Sequence, residues 1–404
     1  MRTGDALSRI DPGAIAADLA ALVRVPSVTG EERRAHELLA EICERRGLRA
    51  ELREHDLAAL RRHFGHPGEE ASRTELVGTV AAIGSGECRL CINGHLDVVG
   101  PGAEPWSRDP FSGAVEDGFV HGRGSLDMKA GVVAAVHAMA AAAAPGASPC
   151  EVVLQAVSSE EDGGQGTFAA LEADDRFDAC LIPEPTSFDL VCAHAGALTF
   201  RGVVSGRTAH AAFRLAGLSA IDRYVAIHAA LADLERELNA DVEHPLMGAL
   251  ELPYPLLVGR VQAGRWSSQV PDRLEFEGRV GVPVGESPEA VRRLLAERVG
   301  EATGEGPPVE LTWTGGQFAP GETDPAHPFA TLVAGAIEAE RGAAPATVGM
   351  PYGADMRLFT ERGIPCVMAG PGSPALAHAV DEAVAVDEVA AMARVLVRVI
   401  AAFG

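Results

Sequence analysis

Lysine is almost missing from this chain. Of its 34 basic residues one, Lys129, is a lysine, and the rest are arginine. A protein that uses arginine everywhere else and keeps a lysine at one position implies close packing or local electrostatics there that a planar guanidinium cannot reproduce. Positive charge is scarce altogether. Against those 34 basic residues stand 57 acidic ones, a formal net charge of -23, which argues against nucleic acid and anionic membranes as partners. No apolar run reaches the length of a membrane span, and Asp5, Arg9 and Asp11 break up the start, so no signal peptide is expected and the chain reads as soluble and cytoplasmic. The 7 cysteines, an odd number scattered over 404 residues, read as free thiols of a reducing compartment. Cys88 and Cys91 lack the second pair of a zinc site and sit in an apolar strand, so they read as buried small residues.

What is present is ample apolar material, 47% of residues with 23% charged, in a length that calls for two domains. Helical patterns fill 12–53, broken at Pro26-Ser-Val-Thr-Gly30. Strands are expected over 76–83, 88–92, 151–158 and 178–182, with a helix from Gly131 towards Pro145-Gly146. Alternating strands and helices predict an α/β domain with a mostly parallel sheet. After residue 194 the pattern changes to strands with two helices, one over 219–239 and one after Ser287-Pro288. This gives an inserted α+β domain over 195–312, between catalytic parts at 1–194 and 313–404.

The informative stretch runs from Cys91 to Gly131. Cys91-Ile92 close an apolar strand, Asn93-Gly94 reads as its terminating turn, and His95 and Asp97 follow at the carboxyl end, where open α/β sheets bind ligands. With one residue between them, the Asp97 carboxylate can hold the second nitrogen of the His95 imidazole. Asp127 lies in a loop ahead of a helix. Two further strands deliver Glu160-Glu161 and Glu184 to the same edge, and His378 follows another strand and a glycine-rich turn. Histidine and carboxylate donors converging there read as a metal site. Two dications about 4 Å apart repel by about 15–20 kcal/mol at an effective dielectric near 20, so Asp127, Glu161, Glu184 and one bridging anion would balance them. Neutral His95 and His378 add nitrogen donors suited to zinc, with cobalt or manganese also accepted. Glu160 is left over as a general base, and the implied reaction is hydrolysis of an amide.

His95-x-Asp97, Gly122-Arg-Gly-x-x-Asp127-Met-Lys129, Glu160-Glu161, Glu184-Pro-Thr and Ala377-His378, in this order, resemble the co-catalytic metallohydrolases that include acetylornithine deacetylase, succinyl-diaminopimelate desuccinylase, aminoacylase-1 and carboxypeptidase G. The resemblance implies that one zinc takes His95 and Glu184 and the other Glu161 and His378, that Asp127 bridges and Asp97 orients His95, and that Glu160 is the base. It also implies a homodimer formed through the inserted lid and dimerisation domain. Gly206-Arg-Thr-Ala-His210-Ala resembles the segment whose histidine reaches the partner's active site and stabilises the oxyanion. Arg279 resembles an arginine that grips a substrate carboxylate, and Arg357 lies in a segment resembling a substrate-contacting loop. The family's usual asparagine before Val-Pro in the insert is replaced by Ser268-Gln269. The implied activity is deacylation of an N-acyl amino acid or similar small N-acyl amine. A metallo-carboxypeptidase, a dipeptidase and a formylaminopyrimidine deformylase are the alternatives.

Overall fold

The computed structural model describes residues 3–62, 73–143, 150–304 and 306–404. The chain forms two compact units, Met1–Cys192 with Glu322–Val348 and Asp355–Gly404, and Ala193–Gly321 with Gly349–Ala354.

The larger sheet has nine strands among the described residues, and its centre is parallel. Glu151–Val157, Arg89–His95, Ala179–Ile182 and Cys366–Met368 lie side by side in that order. Val77–Ile83 runs antiparallel to Glu151–Val157, and Ala50–Glu54 antiparallel to Val77–Ile83. The helical reading of 12–53 applies to Pro12–Val23 and Arg33–Arg45, whereas Ala50–Glu54 is a strand. Its residues are mostly helix formers, and pairing at the sheet edge overrides their propensity.

The strand bearing His95 does not stop at Asn93-Gly94. It runs through His95, which is in register with Val157. Gly94 serves a different purpose: a Cβ there would lie 2.8 Å from Met128 Cε and 3.0 Å from Val132 Cγ2. Its absence lets the helix Lys129–Ala142 press onto the strand. That helix is buried on nearly every side, as its mostly apolar sequence requires. It packs against Pro12–Val23 and Val386–Ala402. Its expected stop at Pro145-Gly146 lies outside the described residues.

Cys88 and Cys150 form a disulfide, with Cα atoms 4.8 Å apart, which corrects the expectation that all the thiols are free. The two cysteines immediately precede strands whose first residues, Arg89 and Glu151, are in register. Strand pairing therefore brings them together over a sequence separation of 62. Cys43, Cys91, Cys180, Cys192 and Cys366 are free and buried. No helix of the described residues is long and apolar enough to cross a membrane.

The second unit carries an antiparallel sheet in the order Leu256–Ala263, Arg273–Val282, Gly196–Ser205, Glu310–Phe318. The last strand extends the unit past the expected limit at residue 312, because its partner is the first strand of the insert. Helices Ala220–Leu238 and Pro288–Ala302 pack against each other. Their buried faces join Leu198, Phe200 and Phe276 in one core. Both helices start on a serine: Ser219 Oγ accepts from the Asp222 N–H and Ser287 Oγ from the Ala290 N–H, each satisfying an orphan donor of the first turn.

Candidate metal centre

Four parallel strands end on the same side. His95 is the last residue of its strand, Glu160 and Glu161 follow Val157, and Glu184 follows Ile182. The segment leading to His378 follows Met368. Parallel pairing places these ends together, in the crevice where such sheets bind ligands. The Pro183-Glu184 segment passes close to two glycines: a Cβ on Gly131 would lie 2.1 Å from the Pro183 carbonyl oxygen, and one on Gly370 would crowd the Glu184 carbonyl.

Asp127 sits between two imidazoles. Its Oδ1 lies 3.3 Å from His95 Nε2 and its Oδ2 lies 3.4 Å from His378 Nε2. Each imidazole also faces a glutamate. His95 Nε2 is 3.7 Å from Glu184 Oε1, and His378 Nε2 is 3.0 Å from Glu161 Oε2. Ligand atoms of His95, Asp127 and Glu161 all lie within 4.8 Å of one another. Nitrogen and oxygen donors converging at this spacing form a set that can hold divalent metal, and it is a set that suits zinc.

The ionisation pattern agrees with that fit. Burial pushes up the carboxyls of Glu160, Glu161 and Glu184, and neighbouring carboxylates add to the shift. Burial would lower His95, yet the Asp127, Glu184 and Asp97 carboxylates hold it well above its ordinary value. His378 is pushed up to about 10 by its hydrogen bonds to Asp127 and Glu161. Burial would raise Asp127, but the imidazoles on either side keep it below the usual carboxylate range. Imidazoles drawn up and glutamates pushed up mark a cluster that calls for positive charge at its centre.

Asp97 holds His95 differently from the expected carboxylate contact. His95 Nδ1 lies 2.8 Å from the Asp97 backbone carbonyl and 3.6 Å from its Oδ1. The carboxylate instead accepts from the backbone N–H groups of Glu160 at 3.2 Å and Glu161 at 3.1 Å, and from Thr29 Oγ1. Two extended residues are enough for the carbonyl to reach the ring, which leaves both carboxylate oxygens to fix the loop that carries the glutamates.

Arg357, expected to touch substrate, is 1% exposed. Its Nη2 donates to the Gly163 carbonyl at 2.8 Å, and its Nη1 lies 3.6 Å from Asp355 Oδ1, so it braces the Glu160-Glu161 loop from inside. Arg123, read in the sequence only as part of the Gly122-Arg-Gly motif, and Glu382, which drew no attention there, form a buried ion pair at 2.7 Å beneath Asp127. Arg123 follows Gly122 in a glycine-flanked motif, and that was the one available signal. In the second unit, His210 is exposed and caps the short turn that follows it, its Nδ1 accepting from the Ala212 N–H at 3.1 Å. Arg279 lies on the strand Arg273–Val282, has no ion-pair partner among the described residues, and is lowered by burial.

Residues 91–402 match the sequence model of Peptidase family M20/M25/M40. A succinyl-diaminopimelate desuccinylase of Methylobacterium nodulans is 29% identical over 399 residues, 95% of this chain and 94% of that one. Its namesake from Methylorubrum extorquens is 36% identical over 206 residues, so the match spans about half of each chain, 48% of this one and 50% of the relative. The solved M20 family metallo-carboxypeptidase of Sulfolobus solfataricus superposes with a TM-score of 0.77 at 18% identity, covering 96% of this chain and 98% of that one.

Proposed function

This chain belongs to peptidase family M20/M25/M40, and from that premise we propose that it hydrolyses the amide bond of an N-acyl amino acid or a similar small N-acyl amine in a metal-dependent reaction. One observation carries the reading: Asp127 turns one oxygen to each of two imidazoles, and each imidazole is backed by its own glutamate. That is the donor arrangement for two cations sharing one carboxylate. His95 and Glu184 would hold one ion, Glu161 and His378 the other, and Asp127 both. The donor set favours zinc over cobalt or manganese. Such ions, when bound, polarise the scissile carbonyl and make water a competent nucleophile near neutral pH.

The chain's own residues do the rest. Glu160 stands next to the ligand Glu161 with a carboxyl raised by burial and by Asp355, as befits a group that takes a proton from water and returns it to the leaving amine. Its loop is held by Asp97 and by Arg357, so the base keeps one position through the cycle. His210 is assigned to the oxyanion of a neighbouring subunit and Arg279 to an anionic group of the substrate, both supported by the family resemblance. Arg279 is further supported by having no ion-pair partner among the described residues while burial lowers its pKa.

A homodimer is supported by the second unit's surface. Leu256–Ala263 is an edge strand of its sheet, and Val225, Leu257 and Val261 are exposed, an apolar edge that soluble proteins normally cover.

The test is amine release from N-formyl, N-acetyl and N-succinyl amino acids and from dipeptides, using chelator-stripped protein with and without zinc. Zinc-restored release from the acyl amino acids is the expected result. Release from dipeptides alone would favour a peptidase, and silence across the panel with metal bound would overturn the assignment.

A further inference from the structure

Glu382 and Arg123 form their buried ion pair at 2.7 Å, and each group makes a second contact that leads to a ligand residue. The other oxygen of Glu382, Oε1, accepts from the backbone N–H of Leu126 at 2.9 Å and of Asp127 at 3.2 Å. The second terminal nitrogen of Arg123, Nη2, donates to the carbonyl of His378 at 3.0 Å. Its guanidinium also lies over the Trp106 ring, 5.1 Å from the centroid. Asp127 and His378 are thus fastened to opposite ends of one ion pair.

His378 needs such a fastening. Its φ of 62° is in the left-handed region that a residue with a Cβ rarely adopts, and its side chain is 52% exposed. The short turn Pro374–Leu376 before it offers no regular element to impose that conformation. The hydrogen bond from Arg123 reaches the carbonyl of this same residue. Asp127, for its part, lies in the loop just ahead of the helix Lys129–Ala142, and Glu382 holds its N–H.

We propose that Arg123 and Glu382 are positioning residues that set the spacing between Asp127 and His378, so that the ion between Asp127, Glu161 and His378 depends on a pair of residues that do not ligate it. The inference rests on the two-metal reading of the site. The side-chain types follow from the geometry. A guanidinium bonds a carboxylate with one nitrogen and a carbonyl with another, which an ammonium cannot do with the same planarity. Glutamate has the reach to serve the Arg123 guanidinium with one oxygen and the N–H groups of Leu126 and Asp127 with the other, and aspartate is one methylene shorter.

A buried ion pair with a purely structural role would change the melting temperature and leave the metal affinity of the folded protein alone. The experiment therefore reads metal binding: zinc is titrated calorimetrically into chelator-treated full-length protein carrying Arg123→Lys or Glu382→Asp, with thermal unfolding followed in parallel. Wild type is expected to bind two ions per chain. Each variant should weaken the site of Glu161 and His378 about 10- to 100-fold, the usual cost of losing a group that orients a ligand, and the other site, which shares Asp127, by clearly less, with amide hydrolysis restored as zinc is raised. Folded variants that bind both ions as wild type does, or that lose both sites equally, would overturn the inference. A wild type that binds fewer than two ions would instead overturn the two-metal reading. Should either variant fail to fold, Trp106→Leu removes the ring beneath the guanidinium, with its bond to the Pro101 carbonyl, and leaves the ion pair in place. A several-fold loss confined to one site then supports the proposal, and unchanged binding refutes it.

Discussion

The ammonium of Lys129 donates to the carbonyl oxygen of Leu22 at 3.0 Å. A second bond, at 3.2 Å, goes to the Val25 carbonyl. Leu22 lies in the last turn of the helix Pro12–Val23, whose final carbonyls have no partners inside the helix. The only lysine of the chain is therefore a buried cap that ties this helix end to the segment after Asp127. Burial pushes its pKa down to about 7. Lys129→Met should lose about 1–3 kcal/mol of stability, the cost of leaving the Val25 carbonyl without its donor and Leu22 with the Val25 N–H alone. Lys129→Arg should lose a similar amount by overpacking. Denaturant unfolding measures both, and an arginine variant as stable as wild type would contradict this account.

The role proposed for Glu160 separates chemistry from binding. Its neighbour Glu161 faces His378, whereas Glu160 is shifted chiefly by burial and by Asp355. Glu160→Ala should retain two zinc ions and the wild-type melting curve while losing about 10²–10⁴ in turnover. Metal analysis and steady-state kinetics on one preparation check this, and undiminished turnover would remove Glu160 from the mechanism.

A pH effect is expected from a buried histidine that is not among the proposed ligands. His36 is buried, with Nδ1 3.1 Å from Thr79 Oγ1 and Nε2 3.0 Å from Ser158 Oγ. Burial lowers its pKa from 6.5 to about 3. Above the higher value the imidazole is neutral whether the chain is folded or not. Below it the unfolded chain takes up a proton that the folded chain refuses, so stability falls as pH drops, until the folded pKa is reached. The contribution of this one group is about 1.4 kcal/mol per pH unit. His36→Gln should show a shallower decline than wild type between about pH 6 and 4, read from unfolding midpoints. Parallel profiles for the two proteins would be the contrary result.

His210 is expected to act across subunits. His210→Ala should lower turnover and leave the dimer intact, and mixing it with Glu160→Ala subunits should regain activity, because each hybrid dimer assembles one site with both wild-type residues. Activity that stays at the level of the separate variants after subunit exchange would place His210 outside the reaction.

The residues proposed as donors are legible in the sequence because several belong to a local pattern. An apolar run followed by polar residues puts His95, Glu160 and Glu184 at strand ends, and parallel pairing of those strands then makes the ends neighbours. The same reasoning misjudged Gly94, whose role is to admit Met128 rather than to turn the chain. It also missed the strand Ala50–Glu54, where the sheet edge outweighs propensity. The Asp97 carboxylate was assigned to a ring nitrogen, but the backbone carbonyl reaches that nitrogen at shorter distance.

The sequence by itself determined the chemistry available here: which side chains can ligate, which can take a proton, and that a lone lysine has a place no arginine fills. Tertiary structure alone decided the partnerships. Arg123 meets Glu382 across a sequence separation of 259, Cys88 meets Cys150 through strand register, and Arg357 turns inward to Gly163 rather than outward. Hydrophobic period and turn chemistry act over a few residues and can be read along the chain. Which strand ends and loops become neighbours depends on sheet order and packing, to which distant segments contribute together.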